Sequence, residues 1–150
     1  MKKIETSILI ESSASEVWNI LMDFDNYSNW NPFINSIKGK SNKNEALEVE
    51  LMLDGKPMIM KPNVTDYIEK QRFGWLGHLF VKGLFDGHHM FDIEEVGNGM
   101  VKFIHHEEFS GVFAGTMLKL IGSKTKAGFE AMNNALKLEA ERKNNLKKAS

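Results

Sequence analysis

Val101-Lys102-Phe103-Ile104-His105-His106-Glu107-Glu108-Phe109-Ser110-Gly111-Val112-Phe113 spans the one place where the chain changes period. Up to Phe109 the apolar bulk sits mainly at alternate positions (Val101, Phe103, Phe109), as in a strand with one buried face. Beyond Gly111 the spacing turns helical. Phe113, Met117, Leu120, Ile121, Gly128, Ala131, Met132, Ala135 and Leu138 share one broad face of a helix expected from Val112 to about Lys143.

Working outward, almost everything upstream has period two. Strands are expected at Ile4 to Ile10, Ile34 to Lys38, Ala46 to Leu53, Met58 to Ile68, Phe73 to Val81, Phe85 to Val96 and Val101 to Phe109. Asp54-Gly55 and Gly97-Asn98-Gly99 mark hairpins. Ser12 and Ser13 cap a short helix that carries Val17, Trp18, Ile20 and Leu21. Turn formers crowd Asp23 to Asn31 around Tyr27 and Trp30, which read as packing at one end of the sheet, and Pro32 holds Asn31 extended. Strands followed by one long helix predict an α+β fold with an antiparallel sheet, in a single domain over residues 1–150.

Composition narrows the function. Net charge is −1, with 42% hydrophobic and 26% charged residues and no cysteine. Disulfides, thiolate metal sites and cysteine nucleophiles are excluded, and no global field draws the chain to nucleic acid. Glu5, Thr6 and Ser7 interrupt any apolar run after Met1-Lys2-Lys3, so a secretory signal is not expected. No stretch approaches the roughly 20 apolar residues of a membrane span, and the expected location is cytoplasmic. Lys137, Arg142, Lys143, Lys147 and Lys148 alternate with Glu139 and Glu141, which reads as a solvated helix end.

Five segments resemble a known superfamily. Ile10-Glu11-Ser12-Ser13-Ala14-Ser15-Glu16-Val17-Trp18 is similar to the strand-to-helix junction of START/Bet v 1-like (SRPBCC) proteins, with Ser13 where that family usually has proline. Asp23-Phe24-Asp25-Asn26-Tyr27-Ser28-Asn29-Trp30-Asn31-Pro32-Phe33 resembles a second stretch of the same family. Phe85 to Phe91, His105 to Gly111 and Gly128 to Lys137 look like its polyketide cyclase/dehydrase-like subgroup. The resemblance covers nearly the whole chain. It implies a helix-grip fold: a curved seven-stranded sheet wrapped around the C-terminal helix, with one or two short helices after the first strand. It further implies a ligand between sheet and helix, no cofactor and no universal catalytic residue.

The ionisable residues converge where the two periods meet. Inward positions are odd on both strands of the last hairpin: Phe85, Gly87, His89, Phe91 and Ile93, then Val101, Phe103, His105, Glu107 and Phe109. A three-residue loop over Gly97 to Gly99 pairs odd with odd, placing His89 opposite Glu107 and Phe91 opposite His105. His88 and His106 then point outward as exposed strand residues. A buried polar group without a partner costs some kcal/mol, so His89, His105 and Glu107 form a satisfied cluster, orient a ligand or exchange protons. Zinc is a poor match without a preformed motif, so no metal is expected.

The expected occupant is a small hydrophobic or aromatic molecule, in a pocket formed by Trp75, His89, Phe91, Phe103, His105, Glu107, Phe109, Met117, Gly128, Ala131 and Ala135. Small helix residues also suit close helix–sheet approach, and Asn133 is not placed by spacing. Catalytic candidates are His89 or His105 moving a proton, with Glu107 fixing the tautomer. A protein-interaction module is the third reading, and oligomerisation stays open.

Overall fold

The computed structural model describes residues 2–79 and 81–149, so Phe80, inside the strand expected at Phe73 to Val81, lies outside the described residues. Strand β1 (Lys2–Ile10) leads to α1 (Ala14–Met22), where the Ser13 side chain accepts a hydrogen bond from the Glu16 N–H at 3.1 Å. A 3-10 turn (Phe24–Asn26) and α2 (Tyr27–Trp30) follow, and the buried Tyr27 hydroxyl donates to the Leu21 carbonyl at 2.6 Å. Next come β2 (Ile34–Lys38), β3 (Glu48–Leu53), β4 (Lys56–Met60), β5 (Asn63–Ile68), β6 (Arg72–Leu79), β7 (Phe85–Gly97) and β8 (Met100–Ser110). The long helix α3 runs Ala114–Ala149.

All pairings are antiparallel, in the orders β1-β8-β7-β6-β5 and β2-β3-β4. The expected strand Met58 to Ile68 is broken at Lys61-Pro62, because proline has no N–H to give the ladder. Pairing resumes across the break. The Leu47 N–H donates to the Pro62 carbonyl at 2.8 Å and the Val64 N–H to the Glu45 carbonyl at 2.9 Å. The expected single seven-stranded sheet is therefore eight strands divided into a five-stranded and a three-stranded sheet, because the chain bends at Pro62 between β4 and β5. The bend curls the β3–β4 hairpin over the concave side.

Both hairpin turns use paired positive φ angles, +52° and +74° at Asp54-Gly55 and +58° and +71° at Asn98-Gly99. The expected three-residue loop is therefore a two-residue turn. A bulge between Glu95 and Gly97 absorbs the extra residue, and the register with His89 opposite Glu107 is kept.

α3 lies across the concave face. Its buried residues are Ala114, Thr125, Phe129, Met132, Asn133, Leu136 and Ala140. The inward stripe is thus rotated from the expected one, and Phe113, Leu120, Ala131 and Leu138 are exposed. The far end of α3 is sewn to the first strand and helix. Lys137 Nζ donates to the Leu9 carbonyl (3.0 Å), Asn144 Nδ2 to the Glu11 carbonyl (3.0 Å) and the Glu11 N–H to Glu141 Oε2 (2.9 Å).

Glycine has opposite meanings at two sites on α3. A Cβ at Gly128 would overlap the buried Phe33 ring, whereas one at Gly122 would meet only Leu118 Cβ at 4.0 Å. Gly122→Ala should therefore stabilise by about 1 kcal/mol through helix propensity. Gly128→Ala should destabilise despite the same gain, since overpacking costs about 1–3 kcal/mol. Urea unfolding of the two variants checks both signs.

Candidate functional site

Two glycines make room on the concave face. Gly77 of β6 and Gly87 of β7 are directly paired, and both point inward between large residues: Trp75 and Leu79 on one strand, Phe85 and His89 on the other. Above this gap is a cavity of about 50 Å³. The β3–β4 hairpin walls it with Leu51, Leu53, Met58 and Met60, and Phe33, Ile121 and Thr125 close it from above. Phe109 and Glu107 of β8 complete the floor. A water claims about 30 Å³ in the liquid and ligand pockets run to about 300–1,000 Å³, so this cavity is far smaller than a ligand site.

The polar groups converge at its inner end. His89 (2% exposed) and His105 (0% exposed) have their Nε2 atoms 2.8 Å apart. His105 Nδ1 is 3.0 Å from Asn133 Oδ1, and Asn133 Nδ2 donates to Thr6 Oγ1 at 2.8 Å. The Thr6 hydroxyl in turn donates to the His105 carbonyl at 2.9 Å. On the pocket side, His89 Nδ1 is 3.4 Å from Glu107 Oε1. The Glu107 carboxyl occupies the niche above Gly87, where a Cβ would overlap Oε2. Aromatic rings enclose both imidazoles: Trp75 stacks on His89 at 4.9 Å and Phe129 on His105 at 4.0 Å.

This environment sets the charges. Burial pulls the His89 imidazole down to about 3, helped by His106 and His88. His105 lies well below the usual imidazole range, again through burial first and then His89. Burial also pushes the Glu107 carboxyl up to about 8. The His89–Glu107 contact is therefore a meeting of two neutral groups, since neither charged form is solvated. Neither His89 nor His105, the imidazoles expected to move a proton, lies near the usual imidazole range. Glu107 is the group of the three that titrates nearest neutrality.

Of the expected pocket residues, Trp75, His89, Glu107 and Phe109 line the cavity. His105 is directly behind His89. Phe91 and Phe103 are fully buried and stack on each other at 6.0 Å, deeper in the core. Met117 packs on the Phe85–Phe109–Ala114 cluster. Gly128 faces Phe33, Ala131 is exposed and Ala135 is half-buried, none of them on the cavity, because the inward stripe of α3 runs through Thr125, Phe129 and Met132 instead. Sequence reasoning missed the β3–β4 wall, the two facing glycines and the Thr6–Asn133 pair. The inward glycines were a readable signal, because each interrupts a row of bulky residues.

On the convex face His106 is buried (5%) rather than exposed. Its Nε2 is 2.8 Å from Asp92 Oδ2, and Arg72 grips the same carboxylate with contacts of 2.6 and 3.0 Å. Burial pushes Asp92 up, but hydrogen bonds from His106 and Arg72 outweigh it and bring the carboxyl to about 2. His88 is half-buried and contacts Asp66 at 2.9 Å. Among the described residues, no three His, Asp or Glu side chains converge to hold a metal, and no helix is long and apolar enough to cross a membrane.

Residues 1–141 match the family described as polyketide cyclase / dehydrase and lipid transport. No curated protein matches the sequence. Among solved structures, the fold is shared with the Zhui aromatase/cyclase of Streptomyces sp. R1128 at 13% identity, covering 94% of each chain with a TM-score of 0.76. A START superfamily protein of Mycobacterium smegmatis is 18% identical over 93% of this chain and 97% of its own, with a TM-score of 0.71. A hypothetical protein of Helicobacter pylori is 16% identical over 93% and 88%, with a TM-score of 0.76.

The raised Glu107 pKa carries a stability cost with a defined sign. The folded state holds a proton that the unfolded chain releases above about 4.5, so the favourable contribution is complete below that pH and is lost as pH rises through about 8. Glu107→Gln removes the dependence. The Tm of Glu107→Gln minus that of the parent should therefore grow steadily from pH 5 to pH 8.5 in a thermal melt series. A constant difference would refute a buried neutral carboxyl.

Proposed function

Because the chain belongs to the polyketide cyclase / dehydrase and lipid transport family, we propose that it binds a small hydrophobic or aromatic molecule between the sheet and α3. One observation carries the reading: a cavity with mostly apolar walls into which a single carboxyl and a single imidazole converge. A few placed polar groups in an apolar site are what orient a ligand.

Growth of the cavity from its closed volume has a structural route. β4 ends the β2-β3-β4 order, and Leu53, Met58 and Met60 on this hairpin are only half-buried. Unbranched methionines repack around irregular shapes at low cost. Outward movement of these side chains would enlarge the space without disturbing the β6–β7–β8 floor. The expected result is a rise in Tm with small aromatic molecules, together with a retained small molecule in native mass spectra. Gly77→Leu puts a side chain where the Met60 methyl now rests, 2.7 Å from an ideal Cβ. It should abolish the ligand-induced rise while the variant stays folded.

A second reading, proton-transfer catalysis of cyclase or dehydratase type, is favoured by Glu107 alone. A carboxyl titrating at about 8 in an apolar pocket suits acid–base work near neutral pH. Turnover of a candidate polyketone would then change around pH 8. It would vanish in Glu107→Gln while binding persisted. Retained turnover in that variant excludes it.

A further inference from the structure

Thr6, Asn133, His105 and His89 form a hydrogen-bond chain whose proton positions are determined link by link, and Glu107 abuts its end. It begins at a carbonyl. The His105 carbonyl can only accept, so the Thr6 hydroxyl at 2.9 Å donates to it. That leaves a Thr6 lone pair to accept from the Asn133 amide nitrogen at 2.8 Å. The amide is thereby oriented, with Oδ1 toward His105 Nδ1 at 3.0 Å, and this nitrogen must carry the proton. A neutral His105 then has a bare Nε2. Since His89 Nε2 is 2.8 Å away, it must be the donor. His89, neutral as well, is left with a bare Nδ1 facing Glu107 Oε1 at 3.4 Å. A carboxylate there would set lone pair against lone pair. A carboxylic acid with its proton on Oε1 faces that nitrogen without repulsion, leaving Oε2 over Gly87 as an uncharged acceptor toward the pocket.

We infer that Thr6 and Asn133 are positioning residues which, through two histidines locked in opposite tautomers, present Glu107 Oε2 to the pocket as a neutral acceptor, so that the site selects hydroxyl-bearing aromatic ligands (phenols or enols) over carboxylates. The inference rests on the small-molecule reading of the pocket and names the ligand class that reading leaves open. The residues come from four elements: β1 for Thr6, α3 for Asn133, β8 for His105 and Glu107, and β7 for His89. The ligand-facing oxygen is therefore set by how helix and sheet dock. An anionic ligand would meet an acceptor with no proton to offer. An aromatic hydrocarbon would fit the walls and leave Oε2 unpaired, which is costly in a dry site.

The experiment has two arms on the full chain. The first is ¹⁵N NMR of the imidazoles at pH 7. The expected result is two neutral rings, His105 protonated at Nδ1 and His89 at Nε2. An imidazolium at either position, or His89 protonated at Nδ1, overturns the chain. The second arm titrates phenol, toluene, benzoate and benzylammonium. Phenol should bind about tenfold tighter than toluene, one neutral hydrogen bond's worth, and benzoate should be weakest. Equal binding of phenol and toluene, or tighter binding of benzoate, overturns the ligand class while leaving the pocket intact. Binding of none of the four overturns the small-molecule reading itself and the ligand class with it.

Thr6→Val and Thr6→Ser separate positioning from packing. Thr6→Val should mix the His105 tautomers and shrink the phenol-to-toluene ratio, and Thr6→Ser should restore both. A Thr6→Val variant that loses only thermal stability, with tautomers and ratio unchanged, assigns Thr6 a structural role and overturns the positioning claim.

Discussion

Two imidazoles and a carboxyl are buried on the inner face of a sheet whose other inward residues are mostly apolar, and the fold is arranged around keeping them neutral and paired. Desolvation is the larger force here. It outweighs any attraction between His89 and Glu107, which accordingly meet without charge. What remains is hydrogen bonding, and only α3 can finish it, because Asn133 supplies the acceptor for His105 Nδ1. Thr6 then orients the Asn133 amide. Helix and sheet are thus joined by polar groups at the centre of their interface, while Phe129, Met132 and Leu136 supply the apolar contact around it.

The pocket is the counterpart of that pairing. Trp75, His89, His105 and Phe129 fill one end of the concave space with stacked rings. At the other end Gly77 and Gly87 leave it open, with the Glu107 carboxyl between the two. The β3–β4 hairpin forms the wall opposite the floor, and its strand β4 ends the β2-β3-β4 order. The titratable groups of the lining, His89 and Glu107, are on β7 and β8 instead.

Much of the architecture was legible in the sequence because β-structure has an exact period. Odd-numbered residues of both β7 and β8 point inward, and the pairing of His89 with Glu107 follows from that parity once the hairpin is closed. It survived even though the turn differs from expectation, since a bulge restored the register that the buried faces demand. The helix was less forgiving. Its period of 3.6 spreads apolar residues broadly, and Leu120 and Leu138 drew the expected stripe toward what is the solvent side. The partners that decide the phase, Phe33 beneath Gly128 and His105 against Asn133, are far away in sequence.

Local pattern by itself established the element order, the antiparallel sheet, the long terminal helix and the set of inward ionisable residues, because each depends on spacing within a few residues. Tertiary structure alone decided the rest. The fold of β4–β5 at Pro62 brings Met58 and Met60 over the cavity, Asp92 covers His106 on the convex face, and Thr6 meets Asn133 across 127 positions. These outcomes depend on desolvation and hydrogen-bond direction. Both are properties of the assembled neighbourhood, and no window of sequence contains them.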